Sequence, residues 1–368
     1  MSKFYCSLGL MSGTSADGVD ASIIQSNGDN EYEVILDKYF KYSQSIYQNI
    51  HNLKEEINYS KDLKILSKKI QPLEKEITLF HAEVVDKIIQ NSKLNIDFIG
   101  FHGQTIFHNA KEKISKQLGD GELLSKLTKK SVIYDFRQND LKNGGEGAPL
   151  TPIFHKLLKN KFGLKEATFV NIGGIANITT ISSDNIMSGT DIGPGMCLID
   201  RWIRKKSKKN YDEKGILGSS GKVNKSALEN LINNFNQKEK VLSKDIIQSF
   251  DTKYFDYSFV KNLSLEDGVA TLTEFTAKII LSSIKAGDRY KEKIILCGGG
   301  RKNNFLVERL KKDSNRIKLI DEYKIDGDFV ESQAFAYLSI RSFLKLPISF
   351  PETTGVSEPC TGGIFLKY

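Results

Sequence analysis

The feature that most constrains the fold is a pattern that the chain contains twice: a strand-like run, a glycine-bearing turn and a second strand-like run. In the first copy, residues 5–10 and 19–24 flank the small and polar residues 12–18. In the second copy, residues 168–172 and 175–181 flank Gly173 and Gly174. Further strand-like runs alternate with helix-like segments, so an α/β or mixed chain is expected.

The remaining elements follow from the spacing of apolar residues. Over residues 60–90 the apolar positions recur mostly at three and four, the period of an amphipathic helix, which we expect Pro72 to interrupt. Further helices are predicted near residues 151–159, 265–286 and 331–344, and further strands over residues 32–40, 95–100, 131–134 and 293–297.

The length of the chain indicates two domains. Its 368 residues exceed what one average domain contains, and each half is long enough to bury a core of its own. We predict a first domain over residues 1–134 and a second over residues 135–330. The last segment, about residues 331–368, can return to the first domain.

Composition excludes several classes of protein. The four cysteines lie far apart without a C-x-x-C pair, which argues against a disulfide framework or a structural metal and favours a cytoplasmic protein. No leader and no apolar run of about 18 residues is visible, so no membrane partner is expected. The net charge of +8 is spread along the chain, and its one dense basic run, residues 204–209, is predicted to be an exposed helix end. No nucleic-acid partner is expected.

The first glycine turn is a candidate phosphate loop. Successive backbone N–H groups can converge on an anion where no side chain intervenes, and Thr14 and Ser15 add two hydroxyl groups. Asp17 and Asp20 could hold a hydrated Mg²⁺ ion. The turn is not a Walker loop, because no G-K-[ST] follows it, and the chain contains no G-x-S-x-G nucleophile elbow.

Asp191 is the most informative carboxylate. It lies in the segment Gly189-Thr190-Asp191-Ile192-Gly193-Pro194-Gly195, where we expect a loop held rigidly by proline and glycine. A carboxylate fixed in this way suits general-base catalysis. The alternative is an Asp that caps a helix beginning near Met196.

Three further polar residues are candidates for ligand contacts. His102 ends a predicted strand and is either a ligand contact or a structural histidine with satisfied hydrogen bonds. Arg137 and Asp140 lie beside a second glycine-rich stretch, residues 143–149, and either bind sugar hydroxyls or a carboxylate, or form an ion pair between the domains.

Eight segments, taken together, resemble the anhydro-N-acetylmuramic acid kinase family. They occur in the family's order and extend over nearly the whole chain: residues 9–20, 102–105, 135–137, 144–150, 171–177, 191–195, 297–300 and 331–336. The resemblance implies a two-domain actin-like ATPase (ribonuclease H-like) fold with the nucleotide in the interdomain cleft. It also implies ATP and Mg²⁺ as cofactors and a homodimer.

The resemblance assigns the nucleotide site to three glycine segments. The first phosphate loop would comprise Gly13, Thr14, Ser15, Ala16, Asp17, Gly18, Val19 and Asp20, with Asp17 and Asp20 as the metal ligands. The second would comprise Gly173, Gly174 and Asn177. Gly298, Gly299 and Gly300 would lie beside the adenosine.

The resemblance also implies the reaction. The family uses ATP and water to open the 1,6-anhydro bridge of 1,6-anhydro-N-acetylmuramic acid, which gives N-acetylmuramic acid 6-phosphate and ADP in murein recycling. Asp191 would be the base that takes the proton of the attacking water. In the family's pattern, Arg137 and Glu331 match positions that face the sugar, and His102, Gln104 and Asp140 are further candidates for substrate binding.

Two positions beside the expected base depart from the family's pattern. Ile192 and Met196 stand where Thr and Asn are usual, which removes a hydroxyl and an amide from the edge of the site, and a K-S-T-G-R-E stretch is only faintly visible at residues 248–253. A levoglucosan-type anhydrosugar kinase is therefore one alternative. A non-catalytic actin-like nucleotide-binding protein is the other, and it would have no use for a positioned Asp191.

Overall fold

The computed structural model describes residues 3–92, 94–242, 250, 252–285 and 293–368, which form two compact units. The strands are β1 Tyr5–Ser12, β2 Gly18–Ser26, β3 Tyr32–Lys41, β4 Phe98–Asn109, β5 Ile114–Leu118, β6 Val132–Tyr134, β7 Ala167–Ile172, β8 Ile175–Ile181, β9 Met187–Pro194, β10 Lys293–Cys297, β11 Ile317–Leu319 and β12 Ile364–Leu366. The α-helices are α1 Gln44–Glu56, α2 Ser60–Ile65, α3 Ser67–Ser92, α4 Gly121–Thr128, α5 Gln138–Lys142, α6 Pro152–Lys161, α7 Cys197–Lys206, α8 Ile216–Ser220, α9 Lys225–Leu242, α10 Leu265–Lys285, α11 Asn304–Asp313, α12 Val330–Phe343 and α13 Pro351–Thr354.

The sheet of the first unit has the strand order β12-β6-β4-β1-β2-β3, with β5 paired to β4. Strands β1, β2 and β3 are antiparallel neighbours, and β4 and β6 run parallel to β1 on its other side. One face of the sheet packs against α1, α3 and α4 through a large apolar cluster that includes Leu8, Ile23, Ile77 and Phe101.

The sheet of the second unit repeats this arrangement, with the order β11-β10-β7-β8-β9. Strands β7, β8 and β9 are antiparallel neighbours, while β10 and β11 run parallel to β7 on its other side. Two apolar clusters pack α7, α9, α10 and α11 in this unit. The same ribonuclease H-like order in both units confirms the predicted two-domain actin-like α/β class.

The units divide at a different place from the predicted border after residue 134. The first unit comprises residues 1–163 and 328–368, and the second comprises residues 164–327. Residues 135–163 belong to the first unit because α5 and α6 pack within it: Lys161 donates to the Tyr32 carbonyl of β3, and the Phe154 ring contacts the Tyr337 ring of α12. The last segment returns to the first unit.

Both glycine-turned hairpins form as predicted, and one predicted helix break lies elsewhere. The helical stretch over residues 60–90 is interrupted at Leu66, where α2 ends, and Pro72 lies inside α3. The missing N–H of Pro72 removes one helical hydrogen bond. The buried face of α3, with Leu73, Ile77 and Val84, offsets that loss by packing on the sheet.

Helix α12 lies directly on the other face of the first sheet. Gly9 of β1 and Gly100 of β4 are register partners, so they form one flat patch across two strands. A Cβ atom at Gly9 would collide with the Ser332 carbonyl oxygen of α12, and a Cβ at Gly100 would collide with the Phe335 carbonyl oxygen. The two glycines thus allow the helix backbone to approach the strands closely.

The surface agrees with two expectations from composition. The basic side chains of residues 204–209 are exposed at the end of α7, as predicted. In the described part of the chain, no helix combines the length and the apolar character needed to cross a bilayer.

Replacing Gly9 by Val should destabilise the protein. The side chain would force α12 away from β1, and overpacking of this kind costs about 3 kcal/mol of the free energy of unfolding. Denaturant unfolding measures the change. Gly13→Ala is the matched control, because no atom lies within 4 Å of a Cβ added there. A Gly9→Val protein as stable as the control would contradict the close approach of α12.

Candidate active site

The first glycine turn, between β1 and β2, has most of its carbonyl oxygens bound by protein donors. The Gln104 amide donates to Gly13 O, and Ala16, buried with φ of 54°, donates its own N–H to the same oxygen. The other donors are Lys54 Nζ to Thr14 O at 3.4 Å, His51 Nε2 to Ser15 O at 3.1 Å, and both Tyr39 Oη at 3.0 Å and the Tyr42 N–H at 2.9 Å to Asp17 O.

This arrangement orients the N–H groups of the turn. In a trans peptide the N–H points opposite to the C=O of the preceding residue. Because Gly13 O and Thr14 O face protein donors, the N–H groups of Thr14 and Ser15 point away from those donors. Neighbouring N–H groups beside a residue in the left-handed region form an anion-binding concavity. A turn with this geometry suits an anion, as the sequence predicted.

Gln104 braces this turn from β4. Its side chain is fully buried, its Oε1 accepts from the Ser12 hydroxyl at 2.6 Å, and its Nε2 donates to Gly13 O at 3.1 Å and to Thr105 O at 3.3 Å. The polar atoms of Gln104 thus bind Ser12, Gly13 and Thr105, and its contact to the substrate stays a prediction.

The two candidate metal ligands of this hairpin differ in their surroundings. Asp17 is exposed in the turn, and its Oδ1 accepts from the Ser15 hydroxyl at 2.6 Å. Asp20 is half-buried in β2, on the sheet face that also carries Ser22. The described residues contain no group of three or more His, Cys, Asp or Glu side chains that could hold a metal. One or two carboxylates beside a phosphate turn fit Mg²⁺, which takes its other ligands from phosphate and water.

In the second glycine turn, between β7 and β8, the carbonyl oxygens accept hydrogen bonds from backbone N–H groups. The Met196 N–H donates to Gly173 O at 2.8 Å, and the N–H groups of Gly195 and Cys197 donate to Gly174 O at 3.0 and 3.2 Å. A Cβ at Gly195 would collide with Gly173 O. The start of α7 is thus docked on the turn, and the N–H of Gly174 points away from it.

Asp191 lies in β9, and not in the loop that the sequence predicted. Residues 187–195 contain three glycines and a proline, which are poor strand formers, so the sequence did not predict this strand, which pairs with β8. A β-bulge at Ile192 leaves Asp191 opposite Asn177 and Gly193 opposite Ala176. Bulges re-aim neighbouring side chains and are common beside active sites. Gly193 has φ of 149°, which other residues rarely adopt.

The carboxylate of Asp191 does not cap α7. That helix begins after Met196, which has no side-chain capping bond, whereas Asp191 Oδ2 accepts the Phe250 N–H at 2.9 Å. Asp191 is half-buried. It is therefore a carboxylate fixed by strand pairing and by one N–H donor, as general-base chemistry requires.

The two departures from the family's pattern pack into the apolar core. Ile192 is 5% exposed and packs into the apolar cluster formed by β7, β8, β10, α10 and α11. Met196, which is half-buried, packs against the same cluster. The Ile192 side chain is therefore part of the core of the second unit.

Asn177 pairs with Asp191 across the two strands. Its Oδ1 is buried and has no hydrogen-bond partner among the described residues. Residues directly opposite on antiparallel strands have their side chains on the same face. Asn177 thus lies beside the candidate base, three residues after Gly174.

Gly298, Gly299 and Gly300 follow β10 at the end of its pairing with β7. A Cβ at Gly298, which has φ of 76°, would collide with Asn171 Oδ1, and a Cβ at Gly300 would collide with the Ile172 side chain. The buried Arg301 donates to Gly298 O at 3.2 Å and forms a bidentate pair with Asp321. Burial acts to raise the pKa of Asp321, but the hydrogen bonds and charge of Arg301 hold it below its usual range.

The buried His102 and the half-buried Arg137 form a pair in the first unit. His102 Nδ1 lies 2.8 Å from Gly103 O, and its Nε2 accepts from Arg137 Nε at 3.2 Å and Nη2 at 3.0 Å. Burial, together with the charge of Arg137, lowers the pKa of His102 to about 3. Both nitrogens of a neutral ring are engaged, so His102 orients Arg137, whose Nη1 also donates to Gly147 O at 2.7 Å.

Asp140 holds the second glycine-rich stretch. It is buried, its Oδ1 accepts the Gly147 N–H at 2.6 Å, and its Oδ2 accepts the Thr354 hydroxyl at 2.5 Å. Arg137 and Asp140 both belong to the first unit, so they are not an ion pair between domains. The carboxylate of Asp140 serves the loop, which explains why a Cβ at Gly145 would collide with it.

Glu331 lies in the first turn of α12, one turn before Phe335. The Phe335 ring contacts the His102 ring, with 4.5 Å between the ring centroids, and residues four apart share a helix face. The structure therefore brings Glu331 to the side of the first unit that carries His102 and Arg137.

Several residues at these loops were missed by the sequence analysis, among them Ser12, Lys54 and Arg301. Ser12 and Arg301 each adjoin a glycine segment, and that adjacency was the available signal. Lys54 lies on α1, 40 residues from the carbonyl it binds, and no local pattern marks it.

The comparisons with known proteins decide the family. The family model described as anhydro-N-acetylmuramic acid kinase matches residues 5–367. The chain belongs to the anhydro-N-acetylmuramic acid kinase family. Members of that name from Pelagibacter ubique (54% identical, 100% of both chains covered), Zymomonas mobilis (38%, 97% of this chain and 98% of the relative) and Rhizobium johnstonii (37%, 97% of each) align along its length. The chain is therefore a kinase of this family, as the resemblance implied.

Three buried histidines of the first unit should make the protein sensitive to acid. Burial lowers the pKa of His81 to about 4 and the pKa values of His102 and His155 to about 3. The unfolded chain, with ordinary values of about 6.5, binds more protons below that pH. The free energy of unfolding should therefore fall as the pH drops below about 6.5. Each histidine should lower it by about 1.4 kcal/mol for one full pH unit.

Denaturant unfolding at about pH 7.5 and about pH 5.5 measures this dependence. His81→Leu should reduce the dependence by one histidine's share, because that ring no longer takes up a proton on unfolding. An equal change in the variant and the parent would contradict the assignment of His81.

Proposed function

We propose that the protein opens the 1,6-anhydro bridge of 1,6-anhydro-N-acetylmuramic acid with water and ATP, giving N-acetylmuramic acid 6-phosphate and ADP. The observation that carries this proposal is Asp191, a half-buried carboxylate fixed opposite Asn177 with one N–H donor on its Oδ2. An actin-like protein that only binds nucleotide has no need of a base held in this way.

The proposed reaction couples the opening of the anhydro bridge to phosphoryl transfer. Asp191 accepts a proton from the water that attacks the anomeric carbon, and the bond between that carbon and the bridging oxygen breaks. The bridging oxygen, which stays on C6, forms a bond to the γ-phosphorus as the bond between the γ-phosphorus and the β,γ-bridging oxygen breaks. ADP leaves with that oxygen. General-base catalysis of this kind contributes about 10²–10⁴-fold.

The two glycine turns are proposed to bind the phosphates. In both turns, protein donors bind the backbone carbonyl oxygens. The N–H groups of Thr14 and Ser15 in the first turn, and of Gly174 in the second, follow these carbonyls and therefore point away from those donors. Phosphoryl transfer depends on such positioned donors rather than on covalent catalysis. Residues 298–300 are proposed to lie beside the adenosine, because only glycine fits two of these three positions.

Mg²⁺ is proposed as the partner of ATP, with Asp17 and Asp20 as the carboxylates nearest the first turn in sequence. When bound, the ion supplies charge neutralisation for the phosphates. The donor set, one or two carboxylates beside a phosphate turn, supports this choice.

On the sugar side, Arg137 and Glu331 are the proposed contacts. Arg137 is aimed by His102 and Gly147, and a guanidinium held in this way can bind hydroxyl or carboxylate oxygens. Because Ile192 packs into the core, its difference from the family's Thr gives no reason to expect another sugar. The family resemblance is also our basis for proposing a cytoplasmic homodimer.

A comparison of sugars tests the proposed substrate. Purified protein with Mg-ATP should release ADP with 1,6-anhydro-N-acetylmuramic acid and at least about tenfold less with levoglucosan, because a smaller sugar leaves polar groups of the site unpaired. Free N-acetylmuramic acid and no sugar serve as controls. Faster release with levoglucosan would replace the proposed substrate, and no release with any sugar would favour a non-catalytic protein.

Asp191→Asn should keep nucleotide binding and lose turnover. The amide cannot accept the proton of the attacking water, so kcat should fall by at least about a hundredfold while ADP affinity stays the same. Single-turnover kinetics and calorimetry measure the two quantities. Asp184→Asn, in an exposed turn of the same unit, is the control. An Asp191→Asn enzyme with most of its activity would contradict the role of the base.

A further inference from the structure

Gln104 has the surroundings of a structural brace. Its side chain is 0% exposed, although a residue that contacts a sugar must be reachable. Its Nε2 has two N–H groups, which donate to Gly13 O at 3.1 Å and Thr105 O at 3.3 Å. The Oε1 accepts the Ser12 hydroxyl at 2.6 Å. Both donor hydrogens are therefore used inside the protein.

The backbone around Gln104 explains why a side chain is needed here. The regular pairing of β1 with β4 ends at Leu10 and Phe101, and the register then shifts so that Ser12 lies opposite Gln104. Gly103, within this irregularity, has φ of 74°. Where the main-chain ladder becomes irregular, the Gln104 amide continues the connection between the strands, one residue before the phosphate turn begins.

The contact to Gly13 O sets the direction of one peptide plane. Gly13 has no side chain, and no atom lies within 4 Å of the position a Cβ would take, so little else opposes rotation of the peptide between Gly13 and Thr14. Among the residues that the structure describes, the second donor to Gly13 O is the Ala16 N–H, which belongs to the same turn. Gln104 is the donor that ties this oxygen to another strand.

We propose that Gln104 is a positioning residue: it holds Gly13 O inward so that the Thr14 N–H faces the nucleotide phosphates, and it does not bind the sugar. This inference rests on the proposed role of the first turn in binding phosphate. Its kinetic signature is specific, because a displaced turn weakens nucleotide binding, whereas a lost sugar contact weakens sugar binding.

The test compares Gln104→Met with the parent enzyme. Methionine has a similar length but neither donates nor accepts strongly, so the Gly13–Thr14 peptide loses its tie to β4. The Kd for ADP, measured by calorimetry without sugar, and the KM for ATP should each rise about tenfold, the effect of about one hydrogen bond. The KM for the anhydrosugar should stay within about twofold.

Two further variants make the comparison specific. Gln117→Met changes another partly buried glutamine, on β5, whose amide bonds Thr105 and Ser115 and not the turn. It should leave both affinities unchanged. Ser12→Ala removes the partner of Oε1, together with the Ser12 contact to Gly18 O, while keeping the Gly13 contact, and should weaken ADP binding less than Gln104→Met does. Ser12→Ala also provides the readout if Gln104→Met does not fold.

The outcomes separate this inference from the proposed function. A Gln104→Met enzyme with a raised KM for the sugar and unchanged ADP affinity overturns the inference and makes Gln104 a substrate ligand. Unchanged ADP affinity in both Gln104→Met and Ser12→Ala overturns it as well. A parent enzyme that binds no ADP overturns the proposed function, and the inference with it.

Discussion

The first unit depends on the close approach of α12 to its sheet over Gly9 and Gly100. These glycines are neighbours across β1 and β4, and any side chain there would displace the helix. From this contact β1 continues to the first glycine turn and β4 continues to His102 and Gln104, while the first turn of α12 carries Glu331. One packing contact thus fixes the relative positions of the proposed phosphate turn and the proposed sugar contacts within this unit.

In both glycine turns the carbonyl oxygens are bound by protein donors, but the donors differ between the two turns. An anion needs exposed N–H groups, and each turn obtains them by having its carbonyl oxygens bound elsewhere. In the first turn the donors include the side chains of Gln104, Lys54 and His51. In the second turn they are the N–H groups of residues 195–197 at the start of α7. Those N–H groups are occupied, so the phosphate contact proposed for this turn is assigned to the Gly174 N–H and not to the helix end.

Much of the fold was predictable because its decisive signals are local. Glycine turns between β-rich runs gave both hairpins, and apolar spacing gave α10 and α12. The glycines and proline around Asp191 led to the prediction of a base there, but the same residues obscured β9, because glycine and proline are poor strand formers. The break at Leu66 and the grouping of residues 135–163 depend on packing between distant segments, which no local pattern carries.

For three candidate site residues, the structure adds contacts that the sequence alone does not reveal. His102, Gln104 and Asp140 were all predicted to be site residues, and the polar atoms of each form hydrogen bonds within the protein. His102 binds Arg137, Gln104 binds Gly13, and Asp140 binds Gly147. These contacts join positions 7 to 91 residues apart. A sequence marks such residues as important, whereas only the tertiary contacts distinguish a residue that binds a ligand from one that holds the residue or loop that does.

The most direct test of the central claim is where the oxygen of water ends up. The reaction is run with 1,6-anhydro-N-acetylmuramic acid and Mg-ATP in water labelled with oxygen-18, quenched early, and analysed by mass spectrometry and ³¹P NMR. The account predicts a sugar phosphate that carries one heavy oxygen on its anomeric carbon and none on phosphorus. Label on phosphorus would mean that water attacks the γ-phosphate, and would contradict the role of Asp191 in opening the bridge.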